Sequence, residues 1–303
     1  KKGLRSVTGS LTKMAGAVGV TVVAFQGLRA VWRTLDEGVN SWRKFEKGMR
    51  EVRTLMTDKQ PIEEMRKELE LLASRTGQTF DVLTKAKYDA VSAGFASAAD
   101  SAKLLSSASK LAVGGATDVG TAMDLLTSAL NAYGLDANDA IDVSDQLFSA
   151  VRIGKTTISE LAGSLGSVMP VARLANLQLK DVGAAMGVLT TGGLNSAEAS
   201  TALRAMLMGL VKTTPEAQMV MDDLGISIRR YEDGTMDLLS TMKQFEDLDE
   251  ETLTKIIPNV RAIVGVSRFK DAISATDQAI KDMSTTMTEG ATQQAFEEMS
   301  QSA

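Results

Sequence analysis

The 303-residue sequence contains no cysteine and no histidine. Without cysteine it cannot form disulfides, thiolate metal sites or a cysteine nucleophile. Without histidine it lacks the commonest general base and the commonest ligand of transition metals. Catalysis would have to use paired carboxylates or a Ser–Lys dyad, and the sequence singles out no such pair. We therefore predict a protein that is not an enzyme and has no metal or cofactor.

Aromatic residues and prolines are also scarce. Phe, Trp and Tyr make up 4% of the chain and there are 4 prolines, whereas 44% of residues are hydrophobic. Such a composition favours helices, and the lack of aromatics indicates a core of small side chains with close helix contacts. The predicted fold class is all-α. We expect a long amino-terminal helix of coiled-coil type, then a multi-helix body of repeated helix hairpins with one small β-hairpin.

The net charge of −5 hides an asymmetry along the chain. Residues 1–56 contain 11 Lys and Arg against 4 Asp and Glu, so the remainder is strongly acidic. We predict three regions from this division: a basic, apolar helical arm at 1–57, a helical body at 58–282, and the start of a further helical segment at 283–303. Because the sequence begins with Lys-Lys, we expect a piece of a longer protein.

Apolar residues recur every seven positions in the arm, with a second apolar series three residues later. The two series together have nine positions between residues 28 and 56, and eight of them are apolar. This pattern is typical of helices wound around one another. We predict an interface between copies of the chain. The alternative is a single amphipathic helix packed on its own domain. The predicted interface residues are Leu28, Val31, Leu35, Trp42, Phe45, Met49, Val52 and Met56.

An apolar run from Met14 to Trp32 precedes and overlaps the heptads. Its uncharged part is shorter than the roughly 20 residues that a membrane-spanning helix needs. Three interpretations stay open: a buried seam of the same bundle, a segment that inserts into a membrane at a later stage, and a true span. The candidate membrane residues are Val18, Val20, Val22, Val23 and Phe25.

The body contains an internal repeat. The stretch DVGTAMDLLT at Asp118 recurs as DVGAAMGVLT at Asp181, and a weaker third copy spans 72–95. Each copy has the pattern of a helix, a turn and a second helix that ends at small residues and Gly, which indicates a packing unit without chemistry. Helical spacing predicts four inward-facing residues in the two clear copies: Leu125, Leu126, Val188 and Leu189.

Several short motifs predict where helices begin and end. Residues 157–160 form a capping box, and residues 195–198 form a looser one. Thr214 followed by Pro215 predicts a helix start, and Gly134 predicts a helix end.

Other motifs concern strands and charge. Alternation around Asp233-Gly234 predicts a small β-hairpin at 226–238. The acidic run at 247–251 lacks the pattern of a calcium loop, so we interpret it as a solvated face. No phosphate-binding loop is present.

Several segments, in order, resemble the characteristic domain of phage tail tape measure proteins. They are FEKGMREVRTLM at 45–56, SAGF at 92–95, the long stretch from Leu125 to Arg204, and then LVKTTPEAQMVMDDLGISIRRYEDGTMDLL and VRAIVGVSRFKDAI. The similarity runs from about Phe45 to Ile280. The family's usual GT-x-LR element appears as STALR at 200–204, a mild departure.

The resemblance implies a set of functional properties. Such proteins run as several copies, commonly three, along the lumen of the tail tube, and their helical length sets tail length during assembly. They leave the tube at infection and assist DNA delivery. The implied partners are other copies of the chain, tail tube and tail tip or baseplate hub proteins, tail assembly chaperones, the host inner membrane, and DNA through non-specific contacts. The implied locations are the virion tail, the host cytoplasm during assembly and the host envelope at infection.

Two alternatives to this function remain open at the level of sequence. One is a membrane-active channel or translocation module, and the other is a histidine-free peptidoglycan hydrolase. The body at 61–280 is broken into short helices, and only an extended helix converts chain length into physical length. We therefore predict that the body is a compact or rearrangeable module at one end of the extended helical part that measures length.

Overall fold

The structure, a computed structural model, describes residues 42–271, 277–278, 281 and 289–301. These residues are mostly helical and contain no β-strand, which confirms the predicted all-α class. A 3-10 turn spans Ala137–Asp139. The helices are 42–55 (α1), Ile62–Thr76 (α2), Phe80–Ser92 (α3), Ala98–Gly114 (α4), Val119–Tyr133 (α5), Ala140–Ile153 (α6), Ile158–Leu165 (α7), Met169–Leu174 (α8), Leu179–Thr191 (α9), Ser196–Val211 (α10), Pro215–Asp223 (α11), Leu238–Lys243 (α12), Glu250–Ile256 (α13), Val260–Asp271 (α14) and Ala291–Ser300 (α15).

Local capping chemistry sets several helix ends as the sequence predicts. In the capping boxes at 157–160 and 195–198, the first side chain accepts the backbone N–H of the fourth residue, and the fourth side chain accepts that of the first. Thr214 accepts the N–H of the third residue of α11, and Pro215 is the first residue of that helix. Gly134 ends α5 with a φ of 65°. Each contact satisfies backbone groups that a helix end leaves without partners.

The helices pack around one main hydrophobic core. Helix α4 contacts α3, α5, α6 and α15, while α9 packs against α6 and α10, and α10 packs along α14. All four residues that the repeat predicts to face inward are buried: Leu125, Leu126, Val188 and Leu189.

Small residues bring the end of α6 close to α9. A Cβ atom on Gly154 would lie 2.7 Å from the Cα of Gly187 and 2.7 Å from the Oγ1 of Thr190. The same Oγ1 accepts a hydrogen bond of 3.2 Å from the backbone N–H of Lys155. Since a side chain at either glycine would separate the two backbones, this approach depends on glycine, as the small residues of the repeat predict.

The prediction of a β-hairpin at 226–238 is wrong. The described residues there contain a turn in which Gly234 has a φ of 82°, and an isolated antiparallel bridge between Arg230 and Met236. The turn follows the predicted Asp-Gly chemistry, but no ladder of paired backbone groups extends from it.

Side chains at the end of α12 explain the missing ladder. Gln244 accepts the N–H of Ser227 at 3.0 Å and donates to its carbonyl at 2.8 Å. Thr241 accepts the N–H of Arg229 at 2.9 Å. Because these side chains already satisfy the backbone groups, the segment lies on α12 without needing a partner strand.

The helix α15 packs back onto the body, where it contacts α4 and α6. The buried carboxylate of Asp145 on α6 accepts the backbone N–H of Gly290 at 2.7 Å and that of Thr292 at 2.8 Å. A Cβ atom on Gly114 would lie 2.9 Å from that of Ala295. A side chain of the body therefore caps α15, and residues 289–301 pack as part of the body.

Candidate interaction surfaces

The structure describes the last part of the predicted heptad interface. Helix α1 packs on α3, and the ring centroids of Phe45 and Phe80 are 5.0 Å apart. Trp42 remains 43% exposed. The other four predicted interface residues that the structure describes are not exposed. They are buried in the core of their own chain: Phe45, Met49, Val52 and Met56.

The other candidate residues of the arm lie outside the described residues, so contact between copies through the arm stays a prediction. Among the helices that the structure describes, none is both long enough and apolar enough to cross a membrane. The interface and membrane candidates outside the described residues are Leu28, Val31, Leu35, Val18, Val20, Val22, Val23 and Phe25.

The aspartates that open the two clear repeat copies have different environments. Asp118 precedes α5 and caps it: its exposed carboxylate accepts the backbone N–H of Thr121 at 2.8 Å and the hydroxyl of the same residue at 2.6 Å. These hydrogen bonds lower the pKa of Asp118. Asp181 is instead the third residue of α9 and is fully buried, and neither carboxylate oxygen has a hydrogen-bond partner among the described residues.

Burial raises the pKa of Asp181 to about 7. Lys180 lowers this pKa, while the charges of Asp237 and Asp233 raise it further. The buried hydroxyl of Tyr133 also lacks a hydrogen-bond partner in the described part of the chain, and burial and the charge of Asp181 raise its pKa. The end of α5, the start of α9 and the 226–238 turn thus enclose a polar cluster that is poorly satisfied.

A groove runs along the surface between α10 and α14, and we call it the α10–α14 groove. It consists of a cavity of about 690 Å³ and another of about 500 Å³ that share Thr201, Arg204 and Arg261. Val260 and Val264 line it on α14 and are 74% and 41% exposed. The further apolar lining residues are Val171, Leu194, Ala197, Ala202, Ala205, Met208, Ile256, Ile257 and Pro258.

No group of three or more Asp, Glu, His or Cys residues within the described ranges could hold a metal ion. In the acidic run at 247–251, Asp249 caps α13 by accepting the backbone N–H of Thr252 at 2.8 Å. Glu251 pairs with Lys255 one turn later.

Sequence reasoning missed both the α10–α14 groove and the burial of Asp181. Arg204 and Arg261 line the groove from two helices that are far apart in the sequence, so no local pattern marks it. Asp181 interacts electrostatically with Tyr133 on α5 and with Asp233 and Asp237 in the 226–238 turn, all distant in sequence, so no local pattern reveals its environment.

The described part of the chain is thus an all-α module with an open groove. The family model of phage-related minor tail proteins matches residues 66–300. The chain is 29% identical over 135 residues to the tape measure protein of Pneumococcus phage Dp-1, a match that covers 45% of this chain and 12% of that protein. It is 29% identical over 174 residues to the probable tape measure protein of Clostridium phage phiCD119, covering 56% of this chain and 18% of that protein.

The chain therefore belongs to the phage-related minor tail protein family, and the predicted resemblance to tape measure proteins is confirmed. It spans less than a fifth of the length of the two relatives. No solved structure matches the chain significantly.

Proposed function

We propose that the chain is a module of a tape measure protein that sets tail length during assembly, occupies the lumen of the tail tube, and is ejected at infection to assist DNA delivery. Two relatives named as tape measure proteins support this role. The module acts structurally, through contacts with other proteins, and not as an enzyme. Its repeated helix hairpins supply the tight packing between small residues.

The observation that carries the proposal for this region is the shortness of its helices. The longest helix that the structure describes, α4, has 17 residues and is about 25 Å long at 1.5 Å per residue. An element that measures length must stay extended, whereas these helices fold back on one core. We therefore assign the measurement of length to parts of the protein outside this chain. This module acts in assembly or delivery, at one end of the part that measures length.

The proposed partners follow from this role. They are other copies of the chain, as a trimer, the tail tube, tail tip or baseplate hub proteins, and tail assembly chaperones. The proposed locations are the virion tail, the host cytoplasm during assembly and the host envelope at infection. Contacts with the host inner membrane and non-specific contacts with DNA belong to the delivery step.

In-frame deletions in the full-length gene, with tail lengths measured by electron microscopy, test the proposal. Deletion of helical segments outside this chain is expected to shorten tails by about 1.5 Å per residue removed. Deletion of residues 61–280 is expected to give no tails or defective tips, and not tails shortened in proportion. Unchanged, infectious tails after both kinds of deletion would contradict the proposal.

A further inference from the structure

The charges of the α10–α14 groove are largely unneutralised. Arg204, Arg261 and Lys212 line it and are exposed, and none has an ion pair or side-chain hydrogen bond with the described residues. The acidic lining residue is Glu198, whose carboxylate accepts the N–H of Asn195 in a capping box. The groove therefore combines apolar walls with a net positive charge.

An acidic surface of opposite character lies at the far end of α11. Asp222 and Asp223 occupy the last turn of this helix and are exposed. Met219 and Leu224 beside them are 59% and 49% exposed. Because the carboxyl end of a helix is itself negative, two aspartates there destabilise α11 slightly. Gln218 donates a side-chain hydrogen bond of 2.8 Å to Asp222 one turn later, so the stability of the helix gives a reason for Asp222 but not for Asp223, whereas a contact would account for both.

The acidic end of α11 cannot reach the groove of its own chain. Thr214, which caps the start of α11, lines the groove. Asp222 lies eight residues further along the helix, so it is about 12 Å away from this cap along the helix axis. Helix α13 packs on α11 and ends at the groove with Ile256, so its acidic start also lies away from it.

We propose that the α10–α14 groove binds the acidic end of α11 from a second copy of the chain. Met219 and Leu224 would enter the apolar part of the groove, and Asp222 and Asp223 would face Arg204 and Arg261. This contact joins two different surfaces, so each copy offers one groove and one acidic end. It is independent of the heptad arm and of the role in setting tail length.

The lining of the groove favours a protein helix over nucleic acid. Its walls carry valine, isoleucine, leucine and methionine side chains, and no aromatic residue lines either cavity. Proteins that bind single strands stack bases on aromatic rings, and duplex binders contact phosphates through polar surfaces. An amphipathic helix with acidic residues beside apolar ones matches both the walls and the charge of the groove.

Two charge-reversal variants of the 303-residue chain separate the two halves of the contact. R204E/R261E removes the basic groove and keeps the acidic end, and D222R/D223R does the reverse. Since these side chains are exposed, both variants are expected to melt close to wild type by circular dichroism. The matched control is K67E/R75E, which reverses two exposed cations on α2.

Sedimentation equilibrium over a range of concentrations gives the readout. Wild type and the control are expected to self-associate, more weakly at high salt, and each charge-reversal variant to lose at least about tenfold in affinity. A mixture of the two variants is expected to recover self-association, because each supplies the surface that the other lacks. The reversed groove and the reversed helix end also carry opposite charges, so the mixture can associate beyond a 1:1 dimer.

Three results would overturn the proposal: a wild-type chain that is monomeric at all concentrations, self-association that both variants retain in full, or variants that fail to associate when mixed. A monomeric wild type that binds a short DNA duplex through Arg204 and Arg261 would assign the groove to nucleic acid.

Discussion

Asp118 and Asp181 stand at the same position of an internal repeat, yet one caps a helix and the other is buried inside one. Helix α5 begins one residue after Asp118, whereas α9 begins two residues before Asp181. The shift moves the second carboxylate from solvent to a site where it is fully buried. Substitutions at these two equivalent positions should therefore change stability in opposite directions.

The first prediction concerns stability and pH. The pKa of Asp181, about 7 in the folded chain, lies above the value of about 3.9 expected in the unfolded chain. The unfolded chain therefore releases this proton first. The contribution of protonated Asp181 to the free energy of unfolding is fully present below about pH 4. It is lost as the pH rises to about 7, which lowers this free energy by at most about 4 kcal/mol. Asp181→Asn is expected to abolish this loss and to raise the free energy of unfolding at pH 8.

Urea unfolding of wild type and Asp181→Asn from pH 4 to pH 8 measures this effect. Asp118→Ala is the matched variant: it removes a helix cap and is expected to lower the free energy of unfolding by about 1 kcal/mol at neutral pH. If Asp181→Asn is no more stable than wild type at pH 8, the buried carboxylate does not destabilise the folded chain.

The second prediction concerns the cap that Asp145 provides for α15. Asp145→Ala leaves two backbone N–H groups without their acceptor, those of Gly290 and Thr292, and such a loss costs about 1–3 kcal/mol. Amide hydrogen exchange in 289–301 is expected to become about tenfold faster or more, while exchange in α4 changes little. The control is Asp142→Ala, at an exposed position on the same helix. Equal exchange in wild type and Asp145→Ala would show that α15 is held by other contacts.

Local chemistry could be predicted from the sequence because it involves residues that are close along the chain. The capping box at 157–160 and the helix start at Thr214 depend on a few neighbouring residues, and the structure has both. The all-α class follows from composition and helical spacing in the same way.

Features that depend on distant residues could not be predicted. The alternation at 226–238 is real, but the N–H groups of Ser227 and Arg229 bond with the side chains of Gln244 and Thr241, so that a single bridge forms and not a ladder. The repeat places its two aspartates at equivalent positions, but the helix start differs between the copies. The groove requires α10 and α14 to pack together, which no sequence pattern of a single chain indicates.

The third prediction concerns the approach between α6 and α9. A Cβ atom on Gly154 would lie 2.7 Å from the Cα of Gly187, so Gly154→Ala must push two backbones apart. Overpacking of this kind costs about 1–3 kcal/mol. The control is Gly163→Ala in the middle of α7, where an added Cβ meets no atom within 4 Å; it is expected to stabilise the chain by about 0.5–1 kcal/mol through helix propensity. Thermal unfolding should show Gly154→Ala melting below wild type and Gly163→Ala melting above it. Equal melting temperatures of the two variants would contradict the close approach.

The fourth prediction concerns a buried ion pair that joins α2 to α3. The Nζ of Lys87 is 2.6 Å from the Oε1 of Glu68, and the lysine side chain is fully buried while the glutamate side chain is 23% exposed. Gln60 also donates a hydrogen bond of 3.3 Å to this carboxylate. Because the two partners differ in exposure, removal of Glu68 and removal of Lys87 should lower the free energy of unfolding by different amounts.

Glu68→Gln leaves the ammonium of Lys87 buried without its counter-charge, and this is expected to destabilise the chain by about 3–5 kcal/mol. Lys87→Met is expected to cost much less, since it fills the same space with apolar atoms and leaves Glu68 partly hydrated. The double variant should be close to Lys87→Met, because no buried charge remains. Urea unfolding of the four proteins forms a double-mutant cycle. Equal losses in the two single variants, with additive loss in the double variant, would show that the pair does not stabilise the α2–α3 contact.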